Sequence, residues 1–266
     1  MITTDFVPGS PCWIDIGARD VAATVDFYGK VFGWSHQPAP GAEEMEYGLF
    51  RQDGKTVGGI GRLDEEGARQ AWMIYFATDD VEAAAKKVEQ SGGAVRVRPM
   101  GDDDMGRMAQ FTDPQGGQFA VFQGGMGIEL VDAPNGLCWT ELYTPDKAGA
   151  LAFYGGLFGW RAQDMELPGG GGTYTMVTPA GQPEERMHGG LMEADPGMLA
   201  ATGGRAYWHP VFAVADCDAT LAKLTEHGGR VVYGPDDTEG VGRLAVCLDQ
   251  SGEADFVVLK PASRAG

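Results

Sequence analysis

The sequence predicts an α+β chain of two tandem copies, each assembled from a pair of βαβββ units. Three observations predict it. Cys12-Trp13, Phe27-Tyr28-Gly29 and Phe32-Gly33-Trp34 return at one constant offset as Cys138-Trp139, Phe153-Tyr154-Gly155 and Phe158-Gly159-Trp160. Asp80, Gly92-Gly93, Pro99, Gly106-Arg107 and Asp113 return as Asp216, Gly228-Gly229, Pro235, Gly242-Arg243 and Asp249. The second offset is larger, so the second copy carries about ten extra residues, placed at Pro168 to Gly172 and around Asp195 to Gly204. Within each copy, a strand-period segment followed by an aspartate and a helix-period segment occurs twice.

The elements follow in order. Residues 12–17, CWIDIG, alternate Cys12, Ile14 and Ile16 against Trp13 and Asp15, a period of two that predicts a strand. Asp20 stands at an N-cap, with Val21, Val25, Tyr28 and Phe32 behind it at helical spacing. Residues 71–78 form the next leading strand. Asp80 caps a helix of Val81, Ala84, Ala85 and Val88 that ends at Gly92. GAVRVRP, GRMAQFTD and QFAVFQ predict three further strands, with Asp113-Pro114-Gln115-Gly116 as a turn. The second copy repeats the order: CWTELY, a helix from Asp146, a glycine-rich hairpin, WHPVFAV, a helix from Asp216, and strands through VVLKP. Domains are expected at 8–124 and 134–262, with the Gly-, Pro- and Asn-rich stretch 125–136 as linker.

Composition narrows the partners. A chain of 266 residues holds two domain cores, and 43% hydrophobic with 22% charged residues is ordinary for a globular protein. A formal charge of −18 argues against nucleic acid and anionic membrane surfaces, both of which select for lysine and arginine. No apolar run reaches the roughly 18 residues of a membrane span, and the first residues lack a secretory pattern, so a cytoplasmic protein is expected. Cys12, Cys138, Cys217 and Cys247 show no CxxC spacing and read as small buried residues rather than a disulfide or zinc site.

A strand, an aspartate, a helix with FYxxxFGW, a hairpin with Gly-Gly, a second Asp-capped helix, a Gly-Arg strand and a DPxGxxxxV strand together resemble the vicinal oxygen chelate superfamily. That group includes glyoxalase I, bleomycin-resistance proteins, fosfomycin-resistance enzymes and extradiol dioxygenases. The resemblance covers about 8–123 and 135–261, in the manner of tandem actinobacterial glyoxalase-like proteins. It implies that paired βαβββ units curl one mixed sheet into a ligand-holding cup, and that active relatives hold a divalent metal there with His, Gln or Glu.

Carried over position by position, the first-strand ligand falls on Trp13 and Trp139. The second-unit ligand falls on Met73 and His209, and the last-strand Glu on Ala120 and Phe256. Glu193 lies near an optional hairpin position. The first copy therefore keeps no donor, and the second keeps only His209 and Glu193 as weak metal candidates, where a site needs at least three. No cofactor is expected. The other histidines, His36, His188 and His227, are expected at the surface.

The resemblance makes the inner face the one carrying Trp13 and Asp15 in the first copy and Trp139 and Glu141 in the second. Tyr47, Met73, Tyr75, Tyr174 and Phe256 are expected to join the lining, with Asp15, Glu141 and His209 as proton-transfer groups if catalysis occurs. Such a lining suits an aromatic or polycyclic small molecule, sequestered or modified without metal. Three alternatives stand beside it: the tryptophans simply fill the core, one copy is degenerate and only stabilises the other, or the second copy is a metal-dependent glyoxalase I-like lyase or isomerase. Monomer and homodimer both remain open. Phe27, Tyr28, Trp34 and their counterparts read as structural, and Arg107 and Arg243 as partners of local carboxylates.

Overall fold

The computed structural model describes residues 1–39, 46–102, 106–124, 127–167 and 172–262. The first copy runs β1 (Pro11–Ala18), α1 (Val21–Phe32), β2 (Ser35–Pro38), β3 (Gly48–Gln52), β4 (Lys55–Arg62), β5 (Ala71–Ala77), α2 (Val81–Gln90), β6 (Ala94–Asp102), β7 (Gly106–Thr112) and β8 (Gln118–Gln123). The second runs β9 (Leu137–Thr144), α3 (Lys147–Phe158), β10 (Arg161–Glu166), β11 (Thr173–Thr178), β12 (Gly189–Glu193), β13 (Tyr207–Ala213), α4 (Cys217–Glu226), β14 (Arg230–Thr238), β15 (Gly242–Leu248) and β16 (Asp255–Pro261). Each copy is thus two βαβββ units, as the repeat predicts. Residues 125–126 of the expected linker and 168–171 of one expected insertion lie outside the described residues.

The helices begin where the aspartates stand. Asp20, Asp80, Asp146 and Asp216 each accept a hydrogen bond from the backbone N–H three residues on, at 2.9–3.0 Å, satisfying one of the orphan donors of a first turn. Gly33 and Gly159 end α1 and α3 in the left-handed conformation, at φ 79° and 68°.

Two mixed eight-stranded sheets result, ordered β2-β3-β4-β1-β5-β8-β7-β6 and β10-β11-β12-β9-β13-β16-β15-β14. In each half a parallel pair, such as β1 with β4 or β5 with β8, adjoins antiparallel hairpin strands. Compactness divides the chain differently from the repeat. One unit comprises 1–13, 73–127 and 139–208, and the other 14–72, 128–138 and 209–266. Each joins one half of one copy to the opposite half of the other.

In the first unit, Tyr154 of α3 stacks on Trp160 at 5.4 Å between ring centroids and meets Trp208 and Phe119 edge-on. Its hydroxyl accepts from Trp208 Nε1 and donates to Asp113 Oδ2, both at 2.8 Å. Asp113 also accepts from the N–H groups of Gln115 and Gly117, so one buried carboxylate closes the β7–β8 turn and anchors the helix. Burial raises its pKa above the ordinary carboxylate value. In Asp113→Ala the phenol and the turn amides lose their acceptor, and a loss of about 2–4 kcal/mol is expected in urea titration. Asp113→Asn, which keeps an oxygen for the turn, should lose less.

The second unit repeats the plan with α1. Tyr28 stacks on Trp34 at 5.6 Å, its hydroxyl accepts from Trp72 Nε1 at 2.9 Å, and Phe212 and Phe256 complete the cluster. Buried Asp249 takes Gln70 Nε2 at 2.6 Å. The aromatics read as structural are therefore core. Cys12, Cys138, Cys217 and Cys247 are free and buried, and the Cys12 thiol donates to the Tyr75 carbonyl. Arg107 pairs with Glu82, and Arg243 with Asp218 and Asp237.

His188 corrects an expectation. The sequence predicts a surface position for it, yet it is 1% exposed, packed against Trp160 and Phe76, with neither ring nitrogen hydrogen-bonded. The loop before β12 carries it inward because its backbone pairs with Thr140 and Val177. His36 is exposed and His227 half-buried at the end of α4. Among the described residues no helix is long and apolar enough to cross a membrane.

Candidate functional site

In the first unit, β9 buries Thr140 and Leu142 on one face and leaves Trp139 and Glu141 half-buried on the other. Trp139 Nε1 donates to the Tyr174 hydroxyl at 2.7 Å, and that hydroxyl donates in turn to Glu141. Burial first, and then the charge of Glu141, hold the Tyr174 phenol well above its ordinary pKa of 10.0, so its proton stays on. Glycine makes the geometry possible. Gly190 of β12 stands opposite Glu141, and the Tyr174 ring lies directly over it, where any Cβ would overlap the ring.

The second unit repeats the arrangement. Tyr47 donates to Asp15 Oδ2 at 3.0 Å across Gly59, the register partner of Asp15, and a Cβ on Gly59 would overlap the phenol oxygen. The repeated Gly-Gly, 58–59 and 189–190, is the sequence signal for this cradle. Of the remaining expected lining residues, Trp13 and Tyr75 are 7% and 5% exposed, and Met73 is half-buried.

The inserted segment of the second copy covers part of the face of β9. Leu199, 1% exposed, packs with Tyr143 and Ala194, and Met192 and Tyr207 lean on the cluster. The first copy has Gly17 where the second has Tyr143.

Phe256, expected in the lining, is instead fully buried in the aromatic cluster beside Tyr28, Phe32 and Phe212. The turn after Asp249 is one residue longer than the turn after Asp113, so β16 begins at Asp255 where β8 begins at Gln118. A one-residue slip exchanges the faces of a strand. Asp255 and Val257 therefore take the other face, Val257 standing where Ala120 stands in the first copy, and Asp255 Oδ2 takes His209 Nδ1 at 2.9 Å. Sequence reasoning missed Asp255. Comparing the turn lengths of the two copies could have found it.

The family model described as Glyoxalase/Bleomycin resistance protein/Dioxygenase superfamily matches residues 12–121 and again 136–254. The chain belongs to that superfamily. Its relatives include the anthracycline biosynthesis protein DnrV of Streptomyces peucetius, 37% identical over 272 residues, 96% of this chain and 94% of that one. The Mycobacterium tuberculosis protein CFP32 is 37% identical over 266 residues, 97% of each chain. Among solved structures, the Mn(II)-bound glyoxalase from Novosphingobium aromaticivorans aligns with a TM-score of 0.61 at 17% identity, covering 96% of this chain and 84% of that one. An extradiol ring-cleaving dioxygenase from B. fuscum aligns with a TM-score of 0.65 at 16% identity, covering 99% and 75%. These likenesses show the fold alone.

The superfamily's metal is poorly served by the residues present. Trp13, Met73 and Ala120 offer no hard donor, and neither does Trp139. His209 and Asp255 are bonded to each other, and Glu193 is exposed at the end of β12. Among the described residues no group of three His, Cys, Asp or Glu side chains is arranged to hold a metal ion. This donor set does not fit a divalent ion.

Proposed function

We propose that the protein binds a planar, hydroxylated aromatic or polycyclic small molecule, stacked on Trp139 and hydrogen-bonded by the Glu141–Tyr174 pair, without a metal. The triple of Trp139, Tyr174 and Glu141 carries the reading. It puts an aromatic face, a phenol and a carboxylate within one hydrogen-bonded cluster, which suits a flat molecule with polar edges. The second copy is favoured as the binding copy because Trp139 keeps exposed surface while Trp13 is almost fully covered. The relatives support the ligand class, since anthracyclines are polycyclic aromatics and DnrV is named for their biosynthesis. The carboxylate accepts a ligand hydroxyl, and Tyr174 keeps it in place. The same pair serves sequestration or a proton transfer, as do Asp15 with Tyr47 in the first copy.

Calorimetric titration of the full chain with 2,6-dihydroxyanthraquinone tests the proposal. Saturable binding is expected, with affinity falling at least tenfold in Trp139→Ala and about threefold to tenfold in Tyr174→Phe. Unchanged affinity in Trp139→Ala would overturn the reading, as would a stoichiometric metal in the purified protein that is lost with His209→Ala.

A further inference from the structure

Met192 of β12 occupies a place that glycine holds in the first copy. In register it stands between Tyr174 of β11 and Tyr143 of β9, so the three form one row across adjacent strands of the first unit. Register partners share a face, and β9 puts Tyr143 on the face of Trp139 and Glu141. The row behind it is Met176, Gly190 and Glu141. Two residues along a strand advance about 7 Å, and neighbouring strands lie about 5 Å apart. Met192 therefore adjoins both Tyr174 and Glu141 of the binding cluster.

Its counterpart is Gly61, since Gly58-Gly59 matches Gly189-Gly190. There the Tyr47 ring runs over both Gly59 and Gly61. Tyr174 instead lies over Gly190, and Met192 fills the next place with a flexible apolar chain. The change is not isolated. Gly17 and Ala71 of the first copy are Tyr143 and Tyr207 in the second, and these two rings meet edge-on at 5.5 Å. Leu199 comes from the inserted segment and is 1% exposed against Tyr143 and Ala194, with Met192 and Tyr207 packed on that cluster. The segment is held by its own bonds. Asp195 accepts from the N–H groups of Gly197 and Met198, and the Gly204 N–H donates to the Leu199 carbonyl at 2.9 Å. Leu199 is thus a fixed support, and half-buried Met192 keeps exposed surface between it and Tyr174.

We infer that Met192 is a specificity-determining residue of the second copy, that it meets a short alkyl group carried on the hydroxylated ring of the ligand, and that Leu199 is its positioning residue. The inference rests on the proposed binding of a hydroxylated aromatic molecule by Trp139, Glu141 and Tyr174. A ring whose hydroxyl is held by Glu141 brings its neighbouring substituent to the next row, where Met192 stands. An alkyl group there gains apolar contact, whereas a hydroxyl would give up water for a thioether, which is only a weak acceptor. Because the first copy has Gly17, Gly61 and Ala71 at these places and lacks the inserted segment, alkyl selectivity of this kind belongs to the second copy alone.

The test compares two probes, 1,8-dihydroxy-3-methylanthraquinone and its 3-hydroxymethyl counterpart, by calorimetry on the full chain. The parent chain should prefer the methyl probe about tenfold. Met192→Gly, the residue of the first copy, should bring the two affinities within about threefold of each other, mainly by weakening the methyl probe. Met192→Leu should keep the preference, and Met192→Gln, of similar length but polar, should abolish or reverse it. Leu199→Ala should reduce the preference and Leu199→Ile restore it, whereas a purely structural role would change stability and leave the ratio alone. Thermal unfolding of each variant establishes folding, and if Met192→Gly does not fold, the Met192→Gln and Met192→Leu arms decide. A parent chain without the preference, or a preference unchanged in Met192→Gly and Met192→Gln, overturns the inference while the proposed function stands. So does a failure of both probes to saturate when 2,6-dihydroxyanthraquinone does. Absence of saturable binding for all three overturns the proposed function itself, and the inference with it.

Discussion

His188→Val should make the protein markedly less sensitive to acid. The buried imidazole has a pKa lowered from 6.5 to about 3, through burial first and then the positive charges of the chain's amino terminus and Arg186. In the unfolded chain it takes up a proton near pH 6.5, and in the folded protein only near pH 3. Between those values the unfolded state binds more protons, so the His188 contribution to stability is complete above about pH 6.5 and lost as pH falls. The slope is about 1.4 kcal/mol per pH unit, roughly 3 kcal/mol by pH 4. Valine is the natural replacement. Val57 precedes Gly58-Gly59 just as His188 precedes Gly189-Gly190, and it is 0% exposed. Urea midpoints of both proteins at pH 7.5, 5.5 and 4.5 should therefore diverge toward acid. A difference that stays constant across that range would show that His188 does not titrate as described.

Gly190→Ala should disable the binding cluster without replacing any side chain that meets the ligand. The added Cβ overlaps the Tyr174 ring, which must leave the strand surface and give up both its Trp139 and Glu141 contacts. Overpacking of this kind costs about 1–3 kcal/mol. Affinity for a hydroxylated anthraquinone should fall more than tenfold, beyond the loss in Tyr174→Phe, because Trp139 and Glu141 lose their positions as well. Adding Tyr174→Ala to Gly190→Ala opens the space again, so stability should recover while affinity does not. If Gly190→Ala leaves both the urea midpoint and the affinity unchanged, the cradle is not what holds Tyr174.

Much of the fold was legible because its determinants are local. The aspartates at 20, 80, 146 and 216 cap the helices they were expected to start, since an N-cap needs only a carboxylate and an N–H three residues away. Period-two alternation placed Trp139 and Glu141 on the face opposite Cys138 and Leu142, because the pleat leaves no other choice. The site was less legible. Phe256 faces the core rather than the expected lining because one extra residue in a turn inverts every position after it, and nothing within the strand reveals the slip. The hydrogen bonds from Tyr47 to Asp15 and from Tyr174 to Glu141 span separate strands and required the sheet register.

The sequence by itself determined that the chain is duplicated and which segments are strands and helices. Both of these rest on residue identity and on spacing over a few positions. Only the tertiary structure decided that each compact unit is drawn from both copies, that His188 is buried against the rings of Phe76 and Trp160, and that Asp255 rather than Phe256 partners His209. Those outcomes depend on burial and on contacts between residues far apart in the chain, and such contacts form only when whole elements pack together.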